Sequence, residues 1–142
     1  MKKCSRIAAL IVSFAMLFAL CGTTACAVSY ADVPTSAYFH DVIQKAADYN
    51  LMQGYSATRF GYYDSVTRAQ FLTMLHRSVG KPAGEKKDWG FIDVTEQDFY
   101  YEAMLWALEK GIAAPLADGV FAPYSVCARS QVIEFLYKAY NQ

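Results

Sequence analysis

Sliding the chain 61 residues along itself lays Tyr30-Ala31-Asp32-Val33 on Phe91-Ile92-Asp93-Val94 without a gap. In that register Ala46 meets Ala107, Phe60 meets Phe121, Tyr63 meets Tyr124, Arg68 meets Arg129, Gln70 meets Gln131 and Leu75 meets Leu136. Apolar character is also kept where Tyr38 meets Phe99, Ile43 meets Met104, Leu72 meets Ile133 and Met74 meets Phe135. Two tandem copies of one unit set the architecture, because each copy must build the same elements and share a core with its neighbour.

Within a copy the pattern reads helix, loop, helix, which makes the chain all-α. In the first copy Tyr38, Phe39, Val42, Ile43, Ala46, Ala47 and Leu51 recur at three-to-four-residue steps and predict one apolar face on a helix from about Tyr38 to Tyr49. Asp41 and Lys45 sit four apart in the favourable acid-first order, and Asn50 is suited to the left-handed stop. Phe99, Tyr100, Ala103, Met104, Ala107 and Leu108 repeat the design, with Gly111 as the stop. The loops Leu51 to Val66 and Ile112 to Cys127 follow, and Phe60, Phe121, Tyr63 and Tyr124 are expected to pin them to the helices. Thr67-Arg68-Ala69-Gln70 then reads as a capping box opening a second helix that ends at Gly80. Its counterpart Ala128-Arg129-Ser130-Gln131 has lost the hydroxyl cap, a loss of roughly 1 kcal/mol. Between the copies Lys81 to Asp88 reads as a polar linker with two breakers.

A segment of another kind precedes the copies. Lys2, Lys3 and Arg6 form a cationic start, Ile7 to Leu20 is an almost unbroken apolar run, and Ala25-Cys26-Ala27 has the small-x-small pattern of a cleavage site. A run of 14 residues falls short of the roughly 20 that cross a membrane. Residues 1–27 therefore read as a signal peptide, 28–88 as the first repeat with its linker, and 89–142 as the second repeat. A rival reading makes Cys26 or Cys21 the lipid-bearing residue of a lipoprotein, but Thr23 and Phe18 stand three residues before them, where an aliphatic residue is usual. Cleavage after Ala27 leaves 10 basic against 13 acidic residues, so no basic footprint for nucleic acid remains. Only Cys127 survives, so an exported domain of this kind holds itself by a core and not by disulfides.

Catalytic chemistry has little to stand on. His40 and His76 share no metal-ligand spacing, Cys127 has no histidine at a diagnostic position, and Asp93, Glu96 and Asp98 lack the spacing of a calcium loop. No phosphate-cradling glycine loop is present. The expectation is a non-enzyme without cofactor or metal. The grouped tyrosines offer apolar faces with hydroxyl edges that suit sugar rings, although packing accounts for most of them. Trp106 reads as core, and Trp89 is open to either packing or exposure.

Asp-Val after an aromatic or aliphatic pair, Leu-Met-Gln-Gly-Tyr, Arg-Phe-Gly and Val-Thr-Arg-Ala-Gln-Phe-Leu-Thr-Met-Leu-His-Arg resemble the S-layer homology repeat, with the second copy as a divergent member. The resemblance implies a bacterial cell-surface protein that binds secondary cell-wall polysaccharide, commonly pyruvylated, through repeats forming part of a pseudo-threefold helical bundle. It places Arg68 and Arg129 near the glycan, with Thr67, Gln70, Gln131, Gly54 and Tyr55 around them and Asp32 and Asp93 as structural signatures. A guanidinium fork and a helix N-terminus would both attract an anion there.

This chain departs from the family pattern in three places. Two repeats are visible where three are usual, Gln70 and Gln131 replace the signature Glu, and Gly54-Tyr55 becomes Pro115-Leu116. The site is therefore expected in the first copy or between the copies. The uncovered apolar face also makes self-association, or completion of a bundle with another S-layer homology protein, the alternative function.

Overall fold

The computed structural model describes residues 29–141, so the signal peptide, its cleavage site and Cys4, Cys21 and Cys26 lie outside the described residues. Four helices carry the fold: α1 His40–Asp48, α2 Arg68–Ser78, α3 Tyr101–Glu109 and α4 Arg129–Tyr140. Two isolated bridges, Thr67 with Val126 and Ala117 with Val120, are the extended pairings among the described residues, so the class is all-α.

Local signals acted locally. Thr67 Oγ1 accepts from Gln70 N–H at 3.2 Å while Gln70 Oε1 accepts from Thr67 N–H at 2.9 Å, closing the expected capping box. At α4 Ala128 has no hydroxyl, and only the Gln131 half survives, at 3.0 Å from Ala128 N. Asn50, Gly80 and Gly111 take φ of 55°, 85° and 64° where α1, α2 and α3 stop.

One recurring clasp joins entry to loop in both copies. Asp32 accepts from the N–H groups of Phe60 and Gly61 at 2.8 and 2.7 Å, and Asp93 accepts from Phe121 and Ala122 at 3.0 and 2.7 Å. The two bonds hold the Asp32 carboxyl below its ordinary 3.8. A depressed folded-state value stabilises the fold above the unfolded value, and that contribution is lost as pH falls through the folded one. Asp32→Asn is accordingly expected to lower the melting temperature most near neutrality, with the gap from wild type closing as pH drops below about 3.8. A gap that stayed constant across an acid titration of thermal melts would remove the charge from this account.

The main core straddles the boundary between copies. Ala69, Leu72 and Leu75 of α2 pack with Tyr100, Met104, Leu105, Trp106, Ala107 and Leu108, then Ile112, Phe121 and Phe135. A smaller cluster of Tyr30, Val33 and Ile43, with Phe39, Ala47, Phe60 and Tyr62 against it, holds α1 to its own entry and loop. Among the described residues α2 packs on α3 and α4, while α1 packs on no other helix. The apolar face expected on α1 is therefore largely uncovered. Ile43 alone is buried within the helix, Tyr38 and Val42 are exposed, and α1 begins at His40 and not at Tyr38. Asp41 meets His40 Nδ1 at 3.1 Å and makes no pair with Lys45.

Two further expectations need correction. Tyr63 does not pin its loop, for its ring is exposed and stacks on neighbouring Tyr62; Tyr124, though largely exposed, stands edge-on to buried Tyr100 at 5.9 Å and with fully buried Phe121 holds the second loop, while Phe60 packs on Tyr30 at 5.2 Å in the first. Nor is the stretch from Lys81 to Asp88 a free linker. His76 Nε2 lies 2.8 Å from Pro82 O, Glu85 N–H donates to Glu109 Oε2 at 2.7 Å, and Gly84 lies flat on the α3 backbone at Leu105 and Trp106. Trp106 is core as expected, and Trp89 packs partly buried against the same cluster with Lys87 Nζ 4.9 Å above its ring.

Candidate functional site

A groove of about 570 Å³ opens in the first copy. Its loop wall is Gln53, Gly54, Tyr55, Phe60, Gly61 and Asp64, its helix wall is Thr67, Gln70, Thr73, Met74 and Arg77, and Phe99 and Tyr124 of the second copy form the far rim. Four of the sequence-predicted site residues, Gly54, Tyr55, Thr67 and Gln70, thus come together. A hollow of about 350 Å³ near Lys86, Trp89 and Tyr101 contains none of them.

The polar furniture of the groove is ordered. Gln70 Nε2 donates to Tyr55 Oη at 3.3 Å, Arg59 lies 5.0 Å above the Tyr55 ring, and its Nη2 bonds Asp64 Oδ2 at 2.8 Å. Gly54 N–H donates to Tyr30 Oη at 3.0 Å, and a Cβ at Gly54 would run into Arg59 O and the Tyr30 ring. Gly54 is therefore demanded by packing beneath the groove as well as by the opening it leaves. Arg77 adds a cation with no partner among the described residues.

Arg68 does not line the groove. It is 2% exposed, its guanidinium lies between the rings of Phe121 and Phe135 at 5.1 and 5.4 Å, and its Nη2 donates to Ala114 O at 2.9 Å. Burial pushes its pKa down, with Cys127 and Glu134 acting the other way. The N–H groups expected to be free for an anion at this helix start are also occupied. Arg68 N and Ala69 N donate to Ser125 O and Pro123 O, both at 2.9 Å, because the second copy docks there. Arg129 is exposed at the start of α4 with Gln131 beside it, outside the groove.

Arg59 and Arg77 are the cations that sequence reasoning passed over. Arg77 follows Gln70, Thr73 and Met74 at the spacing of one helix face, which was a readable signal. Arg59, in an irregular loop, had none.

The second copy keeps Gln131 and Lys138 in place of Gln70 and Arg77 but loses most of the rest. At the positions of Tyr30, Gly54, Tyr55, Arg59, Asp64 and Thr67 stand Phe91, Pro115, Leu116, Val120, Ser125 and Ala128. Donor and acceptor vanish together: Phe91 has no hydroxyl and Pro115 no N–H, so neither is left unpaired.

A family model described as S-layer homology domain matches residues 29–72, the stretch that carries the Asp32 clasp, the loop wall and the start of α2. Residues 29–72 belong to the S-layer homology family. An endoglucanase of Bacillus sp. (strain KSM-635) is 34% identical over 115 residues, 81% of this chain and 12% of that enzyme. A cell surface protein of Thermoanaerobacter kivui is 25% identical over 144 residues, covering 98% of this chain and 19% of that protein. The surface-layer 125 kDa protein of Lysinibacillus sphaericus is 26% identical over 106 residues, 75% of this chain and 9% of its own length. The chain spans less than a fifth of each of these relatives. Family match and relatives support a place at the cell surface. Among the described residues no helix is long and apolar enough to cross a membrane, and no three His, Cys, Asp or Glu gather as for a metal.

Proposed function

We propose that the groove of the first copy binds a segment of acidic cell-wall polysaccharide and so holds the chain on the wall without covalent bond or catalysis. Residues 89–142 act as a divergent second repeat whose Phe99 and Tyr124 complete the rim. The observation that carries this reading is the convergence of hydroxyl, amide and guanidinium groups in one groove, where Tyr55 and Thr67 give way to Leu116 and Ala128 61 residues on while Gln70 and Arg77 keep polar counterparts in Gln131 and Lys138. Sugar rings need apolar faces to stack on and hydrogen-bonding edges, and Tyr55 with Gln70 offers both. Arg77 supplies a planar fork for a carboxylate such as a pyruvyl group. The likeness to an endoglucanase brings no activity with it, since it covers 12% of that enzyme.

Co-sedimentation of the exported chain with sacculi from its own source, before and after stripping the secondary polysaccharide, tests the proposal. Retention is expected to disappear on stripping. Tyr55→Ala and Arg77→Ala are each expected to weaken retention about tenfold, the equivalent of ~1.4 kcal/mol, with unchanged circular dichroism. Full retention on stripped sacculi would assign the anchoring to something other than this glycan.

A further inference from the structure

The junction between the two copies is a template, and each end of the chain holds half of another one. At the internal junction the side chain of Arg68 is a knob seated between Phe121 and Phe135 with Ala114 O as its acceptor, and the α2 backbone is docked on residues 123–125. Sixty-one residues on, Arg129 is exposed at the same place on α4, and neither its backbone N–H nor that of Ser130 has an acceptor among the described residues. Ile133 and Leu136 are 65% and 47% exposed, where their counterparts Leu72 and Leu75 are 0% and 8%. Sixty-one residues back, the counterparts of the seat are Phe60, Met74 and Gln53, all of which line the open groove of the first copy. One end is a knob without a socket; the other is a socket without a knob.

We propose that a second copy of this chain joins the two, Arg129 of one molecule entering the seat between Phe60 and Met74 of the other. The backbone fits the template: Arg129 N and Ser130 N would meet Asp64 O and Tyr62 O, with the Asp64 side chain, bonded to Arg59, near the positive end of α4. The ring contact of His76 with Trp106, 5.3 Å at the internal junction, becomes Tyr137 against Lys45, a cation over an aromatic face. Gln44 and Lys45 stand on α1 where Leu105 and Trp106 stand on α3, so this joint is less apolar than the internal one and forms reversibly. The contact is heterologous, knob to socket, and shares the groove of the first copy with the proposed glycan, so the two occupants compete.

The test is the mass of the exported chain by sedimentation velocity in glycan-free buffer, from micromolar to submillimolar concentration. Wild type is expected to exceed the single-chain mass increasingly with concentration. Arg129→Glu blocks the knob and Met74→Lys blocks the socket; each alone is expected to remain a single chain with unchanged helical dichroism. Mixed, they are expected to pair one to one, because each keeps the half that the other has lost. A wild type of single-chain mass throughout, or Arg129→Glu and Ile133→Asp chains that associate as wild type does, overturns the proposal. Because the buffer holds no glycan, this result is read apart from sacculus retention, and Arg129→Glu, which lies outside the groove, is the variant expected to keep retention.

Discussion

An Arg68→Ala chain is expected to lose about 3 kcal/mol of folding stability, the range for emptying a large buried site, without direct damage to the groove. The side chain fills the space between Phe121 and Phe135, so truncation leaves a cavity between two rings and removes the donor to Ala114 O. Arg68→Met separates the contributions. It keeps an unbranched stem between the rings and also removes a buried cation whose Nε has no acceptor. Replacing buried charge by apolar volume is often close to neutral, so the methionine chain is expected to lose less than half as much in urea unfolding. Sacculus retention by the folded fraction is expected to survive both changes. Retention lost from an equally stable Arg68→Ala chain would restore Arg68 as a glycan contact and sink the interior role.

Gly84→Ala is the second large effect, and it falls in a segment whose composition suggests indifference. An added Cβ would run into the Trp106 backbone nitrogen and the Leu105 carbonyl carbon. Backbone cannot yield as a flexible side chain does, so the strap between α2 and α3 must lift. Overpacking of this kind costs about 2 kcal/mol, readable as a fall in the urea midpoint. Gly80→Ala is the control. Nothing lies within 4 Å of a Cβ there, although its φ of 85° disfavours alanine in its own right. A Gly84→Ala chain no less stable than wild type would mean that the strap floats.

Features encoded within a few residues were legible in the sequence. The Thr67 box, the stops at Asn50, Gly80 and Gly111, and the all-α class follow from capping chemistry, left-handed propensity and helical spacing. Trp106 was legible as core from the apolar helix around it. Arg68 was not. A cation in a first helical turn is ordinarily solvated, and the aromatic pair that encloses it comes from residues 121 and 135, more than 50 positions away. The uncovered face of α1 misled for the complementary reason, since a stripe of Tyr38, Val42 and Ile43 says that a helix can be covered but not that anything covers it. Gly54, Tyr55, Thr67 and Gln70 converged on one groove because the last two lie at the helix start and the loop that carries the first two returns there through the Asp32 clasp.

The unit copied along the sequence and the unit that folds are out of phase by one helix. Because α2 shares its burial with α3 and α4, the gene-level boundary near residue 88 runs through the interior of the main core. Growth and loss are therefore unequal events for such a chain. Appending a whole copy asks for no new kind of surface, since every copy brings a docking helix start for its successor and a seat for its predecessor. Deleting the final copy takes the ceiling off α2, and what remains is a lone helix above the small cluster around Ile43. A copy gained thus brings its own matching surfaces, whereas a copy lost strips Ala69, Leu72 and Leu75 of their cover.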